Sequence, residues 1–191
     1  MASNIYLKID EIKGNSTTEE GKDKIELLYA EVGVTMPCVP APSPSVASIA
    51  TGRPDFDPIS IWCYVDSTTP QFQVACATGQ QLKKATVEYY QQAGDKPIPY
   101  YTIEMEDCRV VSVDLLPASL DALDSGAADS AVDPTLLRGA RSEGEPDRPQ
   151  VFLELTYNKI SWKFAAQDPN APGGAKGNVA AGFDLEKNKK V

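Results

Sequence analysis

The stretch of sequence that decides the fold is ISIWCYVDSTTPQFQVACATG, residues 59–79. Its first part places apolar side chains at every second position from Ile59 to Val65, which is the period of a strand with one buried face. Its second part carries helix signals: hydroxyl side chains that can cap the first turn, Pro70 inside that turn, and Gly79 as a stop. The stretch therefore predicts a β-strand followed by one short helix of about three turns.

Apolar side chains recur at every second position on both sides of this stretch, which predicts further strands. These strands lie at 5–9, 25–34, 85–90, 101–113, 151–157, 160–164 and 179–185. Turn residues at 93–97 and at 167–177 separate two pairs of them, and the charged tail from 186 to 191 is expected to be mobile.

All 191 residues are expected to form a single domain, because the chain supplies one core of ordinary size and too little for two. The strand spacing, together with one helix, indicates a mainly β architecture, either a barrel or a sandwich. Two segments, 36–58 and 114–149, depart from the strand pattern.

Residues 36–58 contain six prolines and predict a long extended arm. Proline fixes φ and removes a backbone donor, so this segment cannot be an interior strand or helix. A loop of this length within a compact domain is usually either disordered or functional. Because proline partly stiffens the arm, it loses less entropy when it docks on a partner.

Residues 114–149 contain eight acidic residues, three arginines and no aromatic residue. This composition contributes little to a core and predicts an acidic, partly disordered insertion. The segment is too short, and too poor in catalytic side chains, to hold a folded active site of its own.

Charge and residue content exclude several classes of function. The net charge of -9 argues against binding to nucleic-acid phosphates, and the absence of a run of eighteen apolar residues argues against membrane insertion. Histidine is absent, which excludes Ser-His-Asp and Cys-His catalysis. The four cysteines form no Cys-x-x-Cys pair, so reduced thiols are favoured over a zinc site, and no metal or cofactor is expected.

Several polar and aromatic residues have two interpretations. Glu104 and Glu106 share one strand face and could form an acid–base pair in a pocket, but a solvated face is favoured, and no enzyme is predicted. Four aromatic side chains could be interface anchors or core residues: Trp62, Tyr64, Trp162 and Phe164.

Four motifs stand in a characteristic order along the chain. They are Ile-Tyr-Leu-Lys-Ile-Asp…Ile-Lys-Gly over 5–14, Gly33 at the end of the second strand, Asp-Ser-Thr-Thr-Pro…Ala-Cys-Ala-Thr-Gly over 66–79, and Gly-Phe-Asp over 182–184. This arrangement resembles the Hcp family, the haemolysin-coregulated tube protein of the bacterial type VI secretion system. The resemblance covers the chain apart from 114–149, which is longer and more acidic than the family's usual loop.

The resemblance implies a single-domain β-barrel of two sheets, with one short flanking helix and a long extended loop. Six such protomers would close into a ring, and rings would stack into a tube that a contracting sheath propels with a spike at its tip. Small effectors would travel inside the ring; a free ring that acts as their chaperone is the alternative function. The first ten residues lack the apolar block of a cleaved signal peptide, which agrees with assembly in the cytoplasm and export by this system.

The ring implied by the resemblance needs contact residues, and the sequence offers candidates on the second strand and on the arm. Glu31 is the candidate for contacting cargo in the lumen, and the alternative is a residue that faces water at a bulge near Ala30 and Glu31. Contacts between rings and between subunits are expected from seven residues of the arm: Val39, Pro40, Pro42, Val46, Ile49, Arg53 and Phe56.

Overall fold

The computed structural model describes residues 4–39, 49–50, 52–93, 96–116, 148–168 and 171–191. These ranges contain thirteen strands and one helix. In chain order they are β1 (Asn4–Ile9), β2 (Ile25–Glu31), β3 (Val34–Thr35), β4 (Cys38–Val39), β5 (Ile49–Ala50), β6 (Asp55–Phe56), β7 (Ile59–Tyr64), α1 (Thr69–Thr78), β8 (Gln81–Ala93), β9 (Lys96–Leu116), β10 (Gln150–Thr156), β11 (Lys159–Asp168), β12 (Ala171–Asp184) and β13 (Lys189–Lys190).

Six antiparallel strands close into a barrel. Their order is β10-β7-β2-β1-β8-β9, and β9 pairs with β10 to complete the circle. The prediction of a mainly β barrel with one short helix is therefore confirmed. The structure differs from the expected two sheets in one respect: hydrogen bonding joins the barrel strands into one continuous sheet.

The strand β9 is 21 residues long and belongs to two parts of the molecule. Its second half, from Arg109 to Leu116, pairs with β10 inside the barrel. Its first half, from Tyr101 to Glu106, pairs instead with β11. Strands β11, β12 and β13 thus extend the sheet outside the barrel, and we call these three strands the wing.

The barrel interior is filled with apolar side chains. Fully buried members include Leu7, Ile61, Val87, Met105 and Leu153, which come from five of the six barrel strands. A small barrel filled in this way is a packed core. A second, smaller cluster of Trp62, Leu116 and Phe152 lies apart from it.

The helix α1 forms where the sequence predicts it. Phe72 is buried against the barrel core, and Gly79 ends the helix with a left-handed φ of 64°. The predicted hydroxyl cap is absent, because the Thr68 hydroxyl donates a hydrogen bond to the Asp66 carboxylate instead. With ten residues, α1 falls well short of the roughly twenty that a membrane-spanning helix needs, and no longer helix occurs in the described ranges.

The strand register corrects three details of the sequence interpretation. The bulge in β2 lies between Leu27 and Tyr29, earlier than expected. The predicted turn at 167–177 is mostly strand, because β11 continues to Asp168 and the backbone of β12 pairs with it from Ala171. The tail is not free, since β13 pairs with the end of β12.

The two unusual segments are described only in part. In the arm, β3 pairs with β6 and β4 pairs with β5, so its described residues form a narrow β-ribbon of two short ladders. Strand β9 extends to Leu116, three residues into the predicted acidic insertion. Residues 40–48 and 51 of the arm and residues 117–147 of the insertion lie outside the described residues.

The loop between β1 and β2 is closed at Gly14, the glycine of the Ile-Lys-Gly motif. The Gly14 N–H donates to the Asp23 carbonyl at 3.0 Å, and the Ser16 N–H donates to the Lys24 carbonyl at 3.1 Å. A Cβ atom at Gly14 would lie 2.1 Å from the backbone carbon of Lys24. Because the obstructing atoms are backbone, only glycine fits here.

We expect Gly14→Ala to destabilise the protomer. Overpacking of this kind costs about 1–3 kcal/mol, and each kcal/mol lowers the melting temperature of a chain of this size by about 2–4 °C. Gly177→Ala is the matched control, because nothing lies within 4 Å of a Cβ at Gly177. Equal melting temperatures for the two variants in differential scanning calorimetry would contradict the tight approach at Gly14.

Candidate assembly surfaces

The base of the arm packs against the wing of its own protomer. The Phe56 ring stacks on Trp162, with centroids 6.5 Å apart and an interplanar angle of 17°, and lies 5.2 Å from the Phe183 ring. The Tyr157 hydroxyl donates to the Asp57 carbonyl at 3.0 Å. Aromatic contacts and a hydrogen bond therefore fix the point where the arm leaves the barrel.

The structure places four of the seven predicted arm contacts. The backbones of Val39 and Ile49 pair in the β4–β5 ladder, Arg53 is exposed, and Phe56 is partly buried at the base. Pro40, Pro42 and Val46 lie outside the described residues. The contact role of all seven residues stays a prediction.

Glu31 lies at the end of β2, three residues before the arm ribbon begins. Its side chain is exposed and accepts a hydrogen bond from the Tyr29 hydroxyl at 3.1 Å. Neighbouring Tyr29 is 36% exposed. An exposed carboxylate can meet water or a bound partner, so the cargo role of Glu31 also stays a prediction.

One face of the wing is apolar and continues the interior face of the barrel sheet. On this face Trp162 lies opposite Ala181, and Phe164 lies opposite Val179. Phe56 covers the Trp162 end, whereas Phe164 is 45% exposed and Val179 is 68% exposed. We call the exposed pair Phe164 and Val179 the wing patch.

The four aromatic residues that the sequence suggests as either interface anchors or core residues do not all have the same environment. Trp62 is buried in the small outer cluster, and Trp162 is partly buried beneath Phe56. The ring of Tyr64 lies 4.5 Å from the Arg148 guanidinium. Only Phe164 is an exposed large hydrophobic residue, so it is the one with the character of an interface anchor.

Sequence reasoning missed Val179 as a surface candidate. Its alternation with Ala181 and Phe183 was visible, and that pattern puts all three on one face of a strand. The partner strand β11, and therefore the neighbour Phe164, follows only from the register.

The outer edge of β12 is open along most of its length. On that side only Phe183 and Asp184 pair with β13, and the Gly182 carbonyl accepts the Val191 N–H at 3.0 Å. In the described part of the chain, no strand pairs with residues 171–181 on that side. Unpaired backbone groups along such an edge are a template for a further strand.

The opposite face of the same sheet is charged. Glu104 accepts a hydrogen bond from the Lys163 ammonium at 2.8 Å and lies 3.5 Å from the Lys84 ammonium. Glu106 lies 3.1 Å from the Lys159 ammonium. Both carboxylates therefore belong to ion pairs on a sheet surface, which is the solvated-face interpretation.

The pKa of Glu104 is lowered, chiefly by the hydrogen bond from Lys163. Partial burial of the carboxyl acts in the opposite direction, and the nearby charge of Lys84 lowers the pKa further. A carboxyl whose folded pKa is depressed stabilises the fold above its unfolded pKa, and that stabilisation is lost as pH falls through the folded pKa. The contribution of Glu104 to the free energy of unfolding is thus present at neutral pH and is lost in acid.

We expect Glu104→Gln to lower the free energy of unfolding by roughly 1 kcal/mol at pH 7, in the upper range of exposed ion pairs. The difference from the unsubstituted chain is expected to shrink as the pH falls below 4. Glu106→Gln is the control, because its pair is half exposed and contributes less. Urea unfolding at several pH values measures both, and a pH-independent difference would contradict the ion-pair explanation.

Together these features define a class of protein: a closed β-barrel that presents an apolar patch, an open strand edge and a narrow β-ribbon. Closed barrels have no edges of their own, so all of these surfaces lie on additions to the barrel.

Comparison with known proteins identifies the family. A family model described as "Type VI secretion system effector, Hcp" matches residues 6–164, which is most of the chain. The chain belongs to the Hcp family. The resemblance found in the motifs is thereby confirmed, and the protein is a type VI secretion component. Self-association and secretion follow from that membership.

Solved structures share the fold. A structure described as a type six secretion system protein has a TM-score of 0.77 and 24% identity, and the match covers 100% of both chains. Hcp1 from Salmonella typhimurium has a TM-score of 0.66 and 20% identity, again over 100% of both chains. A type VI secretion system effector from Yersinia pestis has a TM-score of 0.60 and 18% identity, over 94% of this chain and 98% of that chain. No curated protein sequence gives a significant match.

Proposed function

We propose that this chain is the structural subunit of the type VI secretion tube. Six protomers close into a ring, rings stack into a tube, and the tube leaves the bacterium with small effector proteins. The sheath and spike proteins of the same system are its further partners. The observation that carries this proposal is that a closed barrel presents a wing with an exposed apolar patch beside an open strand edge.

Ring closure requires two different surfaces on each protomer. A head-to-tail contact forms a ring when its repeated rotation returns to the first protomer, and both contact surfaces of every protomer are then used. The wing patch and the open edge of β12 supply one of these surfaces, because exposed aromatic side chains and unpaired backbone groups both gain free energy when a neighbour covers them.

Ring stacking uses the arm. The arm is a long connection between the barrel strands β2 and β7, and its base is fixed on the protomer while its outer residues Cys38 and Arg53 are exposed. A projecting segment with a fixed base can reach a neighbouring ring without unfolding the barrel. The predicted arm contacts therefore belong to the interface between rings.

Native mass spectrometry of the purified chain tests the proposal. A ring gives a species of six chains of 20.6 kDa each, and stacking gives multiples of that species. The expected result is a dominant six-chain species at micromolar concentration. A single protomer at every concentration and salt tried would overturn the proposal.

A further inference from the structure

Phe56 connects the arm to the wing, and we propose that it is a positioning residue that sets the direction of the arm before any neighbouring ring binds. The inference rests on the proposed stacking role of the arm. Beyond that role, the proposal says that Phe56 already orients the arm in a protomer that has not yet assembled.

Phe56 lies on a surface formed by Trp162 and Phe183 from two strands of the wing, and we call this surface the seat of Phe56. Its ring lies parallel to Trp162, which comes from β11, and tilts by 31° against Phe183, which comes from β12. Trp162 and Phe183 are themselves partly buried against the barrel core. A ring held between two aromatic side chains on a packed sheet has few orientations available to it.

Backbone contacts on both sides of Phe56 hold the same point. Phe56 pairs with Val34 in the β3–β6 ladder, and the Asp57 N–H donates to the Gly33 carbonyl at 3.1 Å. The Tyr157 hydroxyl, from a side chain that is only 6% exposed, donates to the Asp57 carbonyl. The two chains of the ribbon are thus tied to each other and to the barrel where the arm begins.

The arm beyond this point has weaker local support. Gly52 has a φ of 99°, and nothing lies within 4 Å of a Cβ placed on it. Arg53 and Cys38 are exposed, and the β4–β5 ladder, like the β3–β6 ladder at the base, contains two residue pairs. The direction of the described outer ribbon therefore depends on its base, where Phe56 makes two aromatic contacts to the wing.

The contacts of Phe56 would preorganise the arm for docking. A segment that is already directed toward its binding site loses less conformational entropy when it docks. Replacing the Phe56 ring by a methyl group removes both aromatic contacts and leaves the backbone hydrogen bonds. We therefore expect an arm that is still attached and still β-paired but moves over a wider range of directions.

The native cysteines provide a probe for this motion. Cys38 is exposed on the arm, whereas Cys63 and Cys108 are buried and Cys76 is partly buried on α1. In a Cys76→Ala background, a nitroxide spin label reacts with Cys38 and reports the mobility of the arm by electron paramagnetic resonance. Phe56→Ala is compared with Phe56→Leu, which keeps apolar bulk in the seat, and with Val74→Ala, an exposed position on α1.

The expected result is a loss of the broad, immobile component of the spectrum in Phe56→Ala, partial recovery in Phe56→Leu, and no change in Val74→Ala. Circular dichroism melting checks that each variant remains folded. The spectra are compared in unstacked protein, where no neighbouring ring holds the arm. There, an unchanged Cys38 spectrum in folded Phe56→Ala would overturn the proposal. A mobile arm together with normal stacks would support the seat and show that stacking does not depend on it. The stacking role itself fails only if the deletion of residues 39–53 leaves tubes intact, so the two failures are distinguishable.

Discussion

Aspartate at both positions of the wing patch, Phe164→Asp with Val179→Asp, is expected to convert rings into folded protomers. Both side chains are exposed in the protomer, at 45% and 68%, so the substitutions remove little from its core. In the proposed ring a neighbour covers the same positions, and each would carry a desolvated carboxylate without a partner.

The size of this effect follows from interface energetics. Truncating an anchoring aromatic residue costs about 2–4 kcal/mol of binding free energy, which weakens one association step about 30- to 1,000-fold. A buried unpaired charge adds to that cost, and a ring repeats the contact at every interface. Sedimentation velocity would then show protomers at concentrations where the unsubstituted chain forms rings.

Val74→Asp is the matched control for the wing patch. Val74 is 59% exposed on α1, so it introduces the same charge at an exposed apolar residue outside the wing. Rings are expected to survive this substitution. Rings that survive in the double aspartate variant would show that the wing patch is not part of the lateral contact.

Deletion of residues 39–53 is expected to abolish stacking and preserve the ring. The deletion leaves Met36, Pro37, Cys38 and Pro54 between β3 and β6, which is an ordinary length for a hairpin loop. The Phe56 seat and the wing patch both remain. Negative-stain electron microscopy is expected to show separate rings in place of tubes.

A second variant separates the length of the arm from its side chains. Replacing residues 40–48 by a glycine–serine sequence of equal length keeps the reach but removes the stiffness of proline. Intermediate stacking would indicate that reach and side-chain contacts both contribute. Tubes of normal length after the deletion would refute the assignment of the arm to the contact between rings.

Local elements of this fold could be predicted from the sequence because their signals are local. The strand at 5–9 and the helix after Pro70 depend on alternation, on turn residues and on Gly79, all of which lie within a few residues of each other. The hairpin of β8 and β9 follows from two alternating segments joined by a short turn.

The parts that could not be predicted depend on pairing between distant segments. Barrel closure joins β9 to β10 across the acidic segment, and the seat of Phe56 lies on residues more than a hundred positions away. The sequence predicts a turn over the first part of β12, because the glycines and alanines there provide no apolar alternation. The pairing of β12 with β11 determines that this part is a strand. Composition signals neither the wing patch nor the open edge.

The shared strand β9 has a consequence for the fidelity of secretion. The first part of this strand carries the wing and its second part completes the barrel wall, so the support of the wing depends on a barrel that has closed around Met105 and Val110. A damaged or half-folded copy consequently offers no correct docking geometry to its neighbours. In the proposed ring, we therefore expect a copy with an open barrel to be left out of assembly, because its wing cannot present the surfaces that a neighbour requires.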